Sequence, residues 1–394
     1  MHDLWREEHS LWRPHVTSAE EEFLDRVAAF GAEFVAPHAD RWEAEEELPR
    51  SIFEEAGKIG LMGMTVPRHL GGQGLSYVTY ALAIRELARH QGALAIDIGA
   101  HNTLAVGHVL AEGTPAQHDR VFPRMVNGEW IGAWALTEPE AGSDSGGVQT
   151  AATPHEDGTW RLNGFKRFIT LGRKADVLVV IATTGETAQG RKEISAFLVE
   201  RSQVEPVRKV PTCGLRSSET SELRFTDARA ELLGARGGGQ AAALACLDKG
   251  RIGVASVSLG LARAALEAAL RHALERKQFG RRLADFQAMQ FMLADCETEL
   301  RAAELLVLQA AVLATKGVRH SKESSMAKLF ASEAASRICN RALQIHGGYG
   351  YTRDIPIERY WRDARLSEIG EGSSEVQRIV ISRALIKALE DERP

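Results

Sequence analysis

A carboxylate late in the chain is flanked by residues that leave space around it. Glu371 lies between Gly370 and Gly372, and glycine has no side chain to crowd a neighbour. A carboxylate that projects into an apolar cavity becomes a stronger base, because burial disfavours its ionised form. A solvated turn has the same composition, so two interpretations stay open here: a general base or an ordinary turn residue.

A second stretch concentrates short hydroxyls and glycine in a turn. Residues 135–144 read Ala-Leu-Thr-Glu-Pro-Glu-Ala-Gly-Ser-Asp. Their backbone N–H groups and the hydroxyls of Thr137 and Ser143 suit a ligand rich in carbonyl and phosphate oxygens. An ordinary Pro/Gly loop capped by Thr137 and Asp144 is the alternative.

Three further stretches have charges or glycines in helical surroundings. The sequence Asp248-Lys249-Gly250-Arg251 is predicted at or near a helix start, where an acid commonly compensates the helix dipole. The segment 275–280 is predicted to end a helix with Gly280 as its C-cap, although an arginine there could also bind a diphosphate from a neighbouring chain. Residues 344–351 contain three glycines, each costing up to ~1 kcal/mol in a helix relative to alanine, which suggests close approach of a backbone or ligand.

Apolar periodicity divides the chain into three regions that would position these stretches. Overlapping capping boxes at residues 17–21 begin a mostly helical region. Short β-rich runs with Asp157-Gly158 and Asn163-Gly164 turn signals then predict an antiparallel sheet. Three- and four-residue apolar steps from Met292 to Ala314 predict a long helix of a bundle. We therefore expect an α+β, mostly α fold, with an N-terminal all-α domain (1–129), a middle β domain (130–235) and a C-terminal helical bundle (236–394).

Composition narrows the class of protein. The 394 residues carry 48 Lys+Arg against 53 Asp+Glu, a net charge of −5, without a basic stripe for nucleic acid. The longest charge-free runs are shorter than the ~20 residues of a membrane span, and the four cysteines have neither metal-ligand nor disulfide spacing. The first eight residues lack the features of a signal or transit peptide, so we expect a cytoplasmic location and no metal.

Taken together, these stretches resemble the acyl-CoA dehydrogenase family, flavoenzymes that desaturate acyl-CoA thioesters between the α and β carbons. The resemblance spans nearly the whole chain. Its anchors are the strings Leu-Thr-Glu-Pro-x-Ala-Gly-Ser-Asp, Glu-Arg-x-x-Phe-Gly and Gln-Ile-His-Gly-Gly-Tyr-Gly, the segment 362–365 and the Glu371-Gly372 pair. It implies the three-domain fold, an acyl-CoA substrate and FAD as cofactor.

The resemblance also implies where FAD lies, between the β domain and the C-terminal bundle. Thr137 and Thr170 match hydrogen-bond donors to the isoalloxazine ring, and Phe168 stands where many relatives have tryptophan. Arg276 and Gln287, with the ribbon 344–348, match positions that bind the diphosphate and adenosine across a subunit interface. The expected cofactor residues are Trp134, Leu136, Thr137, Gly142, Ser143, Phe168, Ile169, Thr170, Arg276, Phe279, Gln287, Gln344, Ile345, Gly347, Gly348, Ser373 and Glu375.

The same resemblance assigns Glu371 as the base that removes the α proton while the β hydride passes to flavin N5, giving a trans-2-enoyl-CoA. The expected substrate-binding residues are Ser143, Asp248, Arg251 and Gly372. Some members carry their base at the position of Gly250, and glycine cannot act as a base. The usual family string has tyrosine before the glutamate and threonine after the glycine, where this chain has Gly370 and Ser373, so the acyl preference stays open.

Partners also follow from the resemblance: an electron-transfer flavoprotein as acceptor, a homotetramer built as a dimer of dimers, and a place in β-oxidation of fatty acids. Two alternatives remain. An acyl-CoA oxidase or flavin monooxygenase would keep the fold and use dioxygen as acceptor. A non-catalytic helical assembly protein would use the glycines only for packing.

Overall fold

Helices form both ends of the chain and strands its middle in the computed structural model, which describes residues 11–391. The predicted fold class, mostly α with a separate sheet, is confirmed. The expectation about the first eight residues lies outside the described part of the chain.

The N-terminal helices begin at capping residues. Thr17 and Glu20 form the predicted reciprocal capping box, whereas Ser18 is the first residue inside the helix and forms no box of its own. The α-helices are α1 Ser18–Ala29, α2 Ala39–Glu45, α3 Ser51–Lys58, α4 Tyr77–His90, α5 Gly92–Ala100, α6 Gly107–Glu112 and α7 Pro115–Met125. Two π-helical segments, Phe30–Val35 and His101–Val106, and four 3₁₀ turns, Arg13–His15, Ala36–His38, Leu61–Gly63 and Arg68–Leu70, complete this region.

The middle region is a mainly antiparallel sheet. Its strands are β1 Gly132–Ala135, β2 Ala151–Pro154, β3 Trp160–Thr170, β4 Val177–Glu186, β5 Lys192–Glu200, β6 Glu205–Lys209 and β7 Thr220–Leu233, with short 3₁₀ turns at Ser145–Gly147 and Arg201–Gln203. β1 runs parallel to β4, and β4 pairs with β5 and touches β2, so the strands close on themselves. Asp157-Gly158 lies between β2 and β3 as predicted. The prediction of a turn at Asn163-Gly164 was wrong, because these residues form an irregularity inside β3, where the register of β3 with β7 shifts.

The C-terminal region is a helical bundle. It consists of α8 Gly239–Glu275, the hairpin β8 Lys277–Gln278 and β9 Arg281–Arg282, α9 Gln287–Thr315, α10 Ser321–His346, α11 Ile357–Leu366 and α12 Ser374–Asp391, with 3₁₀ turns at Leu283–Asp285 and Gly347–Tyr351. The predicted helix between Met292 and Ala314 is therefore present as part of α9. Gly280 is not a C-cap: with Phe279 it forms the two-residue hairpin turn, and both have positive φ (+74° and +51°), as this turn type requires.

Helix α8 lies at the centre and packs against α4, α9 and α10. By length and composition it could cross a membrane, but 89% of its most apolar window is buried within the fold, and this burial accounts for its apolar character. The helix begins at Gly239, in the triple glycine itself. Asp248 therefore lies well inside α8 and not in its first turn, so its predicted role in compensating the helix dipole was wrong.

Candidate active site

Glu371 occupies a tight turn between α11 and α12. Its φ is +52° and that of Gly372 is +94°, and a non-glycine residue in the left-handed region is strained by about 1–2 kcal/mol. Two side chains hold the turn through the carbonyl of Gly372: Lys328 Nζ donates to it at 2.7 Å and Gln377 Nε2 at 2.8 Å. Gln377 Nε2 also donates to the carbonyl of Glu371 at 3.3 Å. The strained geometry is thus fixed by its surroundings.

The carboxylate of Glu371 points inward, across the backbone of α8. A Cβ placed on Gly250 would lie 2.0 Å from Glu371 Oε2 and 3.0 Å from Leu104 Cδ2. Oε2 is buried and has no hydrogen-bond partner among the described residues. The alternative of a solvated turn residue therefore does not hold, and Gly250 is needed because the carboxylate occupies the space of its missing side chain.

Burial dominates the electrostatics of this group. It raises the pKa of Glu371 to about 7, while the positive charges of Lys328 and Arg251 act in the opposite direction. Arg251 is itself buried, which lowers its pKa, and its guanidinium donates to Asp248 Oδ1 at 2.6 Å and to Ser325 Oγ at 3.2 Å. A carboxyl group with a pKa near neutrality can both accept and release a proton under ordinary conditions.

Of the expected substrate residues, the structure brings Asp248, Arg251 and Gly372 together with Glu371. Asp248 is also bonded by the hydroxyl of Ser321, so α8 and α10 are joined beside the carboxylate. Ser143 is exposed on the sheet domain, and no hydrogen bond among the described residues connects it to this group.

The loop after β1, which carries the expected cofactor residues 136–143, is held from beneath by a buried ion pair. Lys166 Nζ lies 2.7 Å from Glu138 Oε1 and donates to the carbonyl of Leu136 at 2.8 Å. Glu138 also accepts the backbone N–H of Thr150 at 3.0 Å. Burial lowers the pKa of Lys166 to about 8, and Glu138 opposes that shift. The loop is therefore anchored on its inner side, and the half-buried Thr137 lies at its start.

Next to this loop, the end of β3 presents an aromatic ring to solvent. Phe168 is 54% exposed, has a φ of +59°, and stacks against the guanidinium of Arg167, 4.9 Å from its ring centroid. Its left-handed backbone coincides with a shift in the pairing of β3 with β7. On strand β1, Trp134 Nε1 donates a hydrogen bond to His108 Nδ1 at 3.1 Å. An exposed aromatic ring held by a strained backbone is suited to packing against a flat heteroaromatic ligand.

A second group of expected cofactor residues surrounds a cavity of about 520 Å³ at the C-terminal ends of α8 and α10. Arg276, Ile345, Gly347 and Gly348 line it. A Cβ on Gly347 or Gly348 would meet nothing within 4 Å, so the backbone there is open. Phe279, at the tip of the hairpin, is 95% exposed. This combination of an arginine, an open glycine backbone and an uncovered ring fits a diphosphate-linked aromatic cofactor such as FAD.

The seventeen expected cofactor residues differ in how far they are buried. Those that are buried are Leu136, Ile169 and Ile345; those that are half-buried are Trp134, Thr137, Thr170 and Ser373; those that are exposed are Gly142, Ser143, Phe168, Arg276, Phe279, Gln287, Gln344, Gly347, Gly348 and Glu375. Most of the set thus lies on accessible surface, as a ligand site requires. Of the glycines 347, 348 and 350, only Gly350 shows the close approach suggested by sequence, since a Cβ there would lie 2.5 Å from the carbonyl oxygen of Leu343.

Sequence reasoning missed the residues that support the site. Lys328 and Gln377 hold the Glu371 turn, and the Glu138–Lys166 pair holds the loop after β1. A signal existed for Lys328, which follows Ala327 and precedes Ala331 on the small-residue face of α10, where a charged residue needs a buried partner.

Three family models match the chain in succession. Residues 17–129 match "Acyl-CoA dehydrogenase, N-terminal domain", residues 133–228 match "Acyl-CoA dehydrogenase, middle domain", and residues 237–386 match "Acyl-CoA dehydrogenase, C-terminal domain". The matches together cover most of the chain.

Similar proteins cover nearly the whole length. An "Acyl-CoA dehydrogenase" of Bacillus subtilis is 42% identical over 377 residues, which are 94% of this chain and 99% of that protein. The "Caffeyl-CoA reductase-Etf complex subunit CarC" of Acetobacterium woodii is 41% identical over 88% of this chain and 93% of its own. The solved structure of butyryl-CoA dehydrogenase from Megasphaera elsdenii has a TM-score of 0.91 and 36% identity, and covers 94% of this chain and 99% of its own.

Proposed function

This chain belongs to the acyl-CoA dehydrogenase family, and we propose that it converts an acyl-CoA thioester to a trans-2-enoyl-CoA with Glu371 as the general base. The observation that carries the proposal is the buried, unpartnered Oε2 of Glu371 over Gly250. An unpaired buried carboxylate oxygen costs stability unless a ligand uses it. The enzyme class is that of an oxidoreductase.

The two cofactor regions support FAD as the cofactor. Bound FAD supplies the two-electron oxidant that accepts the β hydrogen as hydride. We assign Thr137, Phe168 and Thr170 to its ring and Arg276, with the ribbon 344–348, to its diphosphate and adenosine. The exposed ring of Phe168 and the open backbone of Gly347 and Gly348 support this assignment.

Glu371 has a demanding task, because the α C–H of a thioester is a very weak acid. Burial makes the carboxylate a stronger base and is reflected in its pKa of about 7. The thioester oxygen must also be stabilised as negative charge develops on it, and losing one such donor typically costs about 10²–10³ in rate. Among the described residues, no oxygen accepts a hydrogen bond from the backbone N–H of Glu371. That N–H is therefore a donor available to the thioester oxygen beside the base.

We further propose the finer properties implied by the family. The acceptor is an electron-transfer flavoprotein, which is supported by the name of the Acetobacterium relative as part of an Etf complex. The assembly is a homotetramer, supported by exposed apolar side chains on α12, such as Ile386 and Leu389. A cytoplasmic location, a role in β-oxidation and the domain boundaries 1–129, 130–235 and 236–394 belong to the same proposal.

The test is Glu371→Gln, with Glu390→Gln as the control at an exposed position. The Glu371 variant should retain FAD and bind butyryl-CoA, yet reduce its flavin at least about 10²–10⁴ times more slowly in anaerobic stopped-flow absorbance measurements. Near-normal reduction would contradict the assigned base.

A second experiment tests the alternative functions. Comparing dye reduction with hydrogen peroxide formation under air separates a dehydrogenase from an oxidase or monooxygenase. A protein that takes up no flavin would indicate the non-catalytic assembly role.

A further inference from the structure

Lys328 is a fully buried lysine at the centre of the site. It lies on α10, and its ammonium donates to the carbonyl oxygen of Gly372 at 2.7 Å, on the turn that carries Glu371. We propose that Lys328 is a positioning residue, whose ammonium holds the left-handed 371–372 turn so that the Glu371 carboxylate stays across Gly250. The inference rests on the proposed function, because it gives Lys328 a part in the reaction of Glu371.

The burial of Lys328 needs an explanation beyond packing. Lysine is almost never fully buried unless it is paired, because removing an ammonium group from water is costly. Other residues on the same face of α10 are small, such as Ser324, Ala331 and Ser332, and all three are buried. An apolar side chain of similar length would fill the space without the desolvation cost. The hydrogen bond from the ammonium to the Gly372 carbonyl therefore explains why a lysine occupies this buried position.

The Lys328 ammonium contacts the strained part of the 371–372 turn. Glu371 is strained at a φ of +52°, and a strained conformation persists only where the surroundings enforce it. The Gly372 carbonyl accepts from Lys328 on α10 and from Gln377 on α12, so its two lone pairs are used by donors from two helices. Of these donors only Lys328 is charged, and a charge-assisted hydrogen bond is roughly twice as strong as a neutral one.

The same ammonium acts on the carboxylate electrostatically. The charged or titratable groups facing Glu371 are Lys328 from α10, Arg251 from α8 and Tyr80 from α4. Arg251 is already paired with Asp248 at 2.6 Å. Lys328 also faces Glu368 and Glu375, and burial lowers its own pKa to about 8. Because the ammonium lowers the pKa of Glu371 against the effect of burial, its removal should raise that pKa above about 7.

The experiment compares Lys328→Met with Lys322→Met in the full-length FAD-loaded enzyme. Methionine has a similar length but neither charge nor N–H donor, and Lys322 lies on the same helix with its side chain 39% exposed. Lys328→Met should keep its FAD and its KM for butyryl-CoA while kcat falls about 10- to 100-fold, since a displacement of about 1 Å can cost that much. The rising limb of its kcat/KM profile should move to higher pH. Lys322→Met should behave as the wild type.

A crystal structure of Lys328→Met provides a measurement that does not depend on activity. We expect the carboxylate of Glu371 to leave its place across Gly250 and the 371–372 turn to relax. An unmoved turn, or an unshifted pH profile with wild-type kcat, overturns the proposal. If Glu371→Gln reduces its flavin normally, the proposed function fails, and the position of the 371–372 turn still decides the role of Lys328.

Should Lys328→Met not fold, Lys328→Gln takes its place. Its side chain is polar, as the native one is, but it is uncharged and too short to reach the Gly372 carbonyl. The expected loss of kcat, shift in pH profile and movement of the turn are the same, and so are the results that overturn the proposal.

Discussion

The two ends of the candidate site are built differently. At the base end, Glu371 Oε2 is buried against the place of a missing side chain on Gly250, and Lys328 fixes its turn. At the cofactor end, Phe279 is 95% exposed and the backbone of Gly348 has open space around it. The first is organised by packing within the chain, whereas the second is an exposed surface. Mutations at the two ends should therefore fail in different ways.

Among the substitutions that distinguish the two ends, the largest effect is expected from Gly250→Ala. The added Cβ would lie 2.0 Å from Glu371 Oε2, so the carboxylate must move, and flavin reduction by butyryl-CoA should slow about 100-fold or more while FAD content is unchanged. Stopped-flow absorbance measures both. Gly370→Ala is the matched control, because its Cβ would be 3.6 Å from its nearest neighbour, an ordinary contact. Equal rates in the two variants would remove the steric argument for the base end.

The opposite failure is expected from Gly348→Leu. Its side chain would fill the open space beside the cavity of about 520 Å³, and the dissociation constant for FAD should rise about 10- to 100-fold, equivalent to 1.4–2.8 kcal/mol. Fluorescence titration of the apoprotein with FAD measures this change. Gly348→Ala should have a smaller effect. Wild-type affinity in the leucine variant would show that the cofactor does not approach this backbone.

The pH dependence sharpens the description of the base end. The pKa of Glu371 is raised to about 7 by burial, and the proposed reaction requires the ionised form of this carboxylate. The value of kcat/KM, which reports the free enzyme, should therefore rise about tenfold between pH 6 and pH 8. The Gly348→Ala variant is altered only at the cofactor end, so its kcat/KM should rise with pH in the same way. A flat profile above pH 5 would mean that the carboxylate is not desolvated.

The smallest effect concerns stability. Because the folded-state pKa of Glu371 lies above its unfolded value of 4.5, the stability it contributes is present at low pH and is lost as pH rises through about 7. Glu371→Gln keeps the uncharged form, so at pH 8 its free energy of unfolding should exceed that of the wild type by about 3 kcal/mol. Its melting temperature should then be a few degrees higher at pH 8 and only slightly higher at pH 5. Differential scanning calorimetry measures it. Glu390→Gln should show no such difference, and a lower melting temperature for Glu371→Gln at pH 8 would contradict the desolvation of Glu371.

The order of helical, sheet and helical regions was predictable from sequence, because apolar periodicity and turn residues are local signals. The residues around Glu371 left a general base and a solvated turn open; its assignment as the base came from the family resemblance and stays a prediction. The inward direction of Glu371 was not derivable from the residues alone, since it depends on α8 passing beneath the turn. Lys328 was missed for a related reason. A lysine within a helix is usually solvated, so the small residues on its face of α10 were passed over as a signal, and the packing of α10 against α8 is what buries it.

The wrong predictions share a physical cause. Gly280 and Asn163-Gly164 are turn-forming by composition, yet Gly280 lies in a hairpin and Asn163-Gly164 in a strand irregularity. Asp248 was placed at a helix start because the preceding glycines suggested a break, whereas α8 begins within them. Glycine signals that the backbone is unusual but does not specify which conformation it adopts. Tertiary packing decides between the alternatives.

The shared volume of Gly250 and Glu371 restricts how the proposed base could be relocated in this fold. A glutamate introduced at position 250 while Glu371 is present would force two acids into one dry space, where like charges cannot both ionise. A Cβ at position 250 would also lie 2.0 Å from Glu371 Oε2. On the proposed role of Glu371, a stepwise transfer is therefore expected to need Glu371→Gly before Gly250→Glu, through a protein that lacks both acids. On the same proposal, activity should return only after both substitutions have been made.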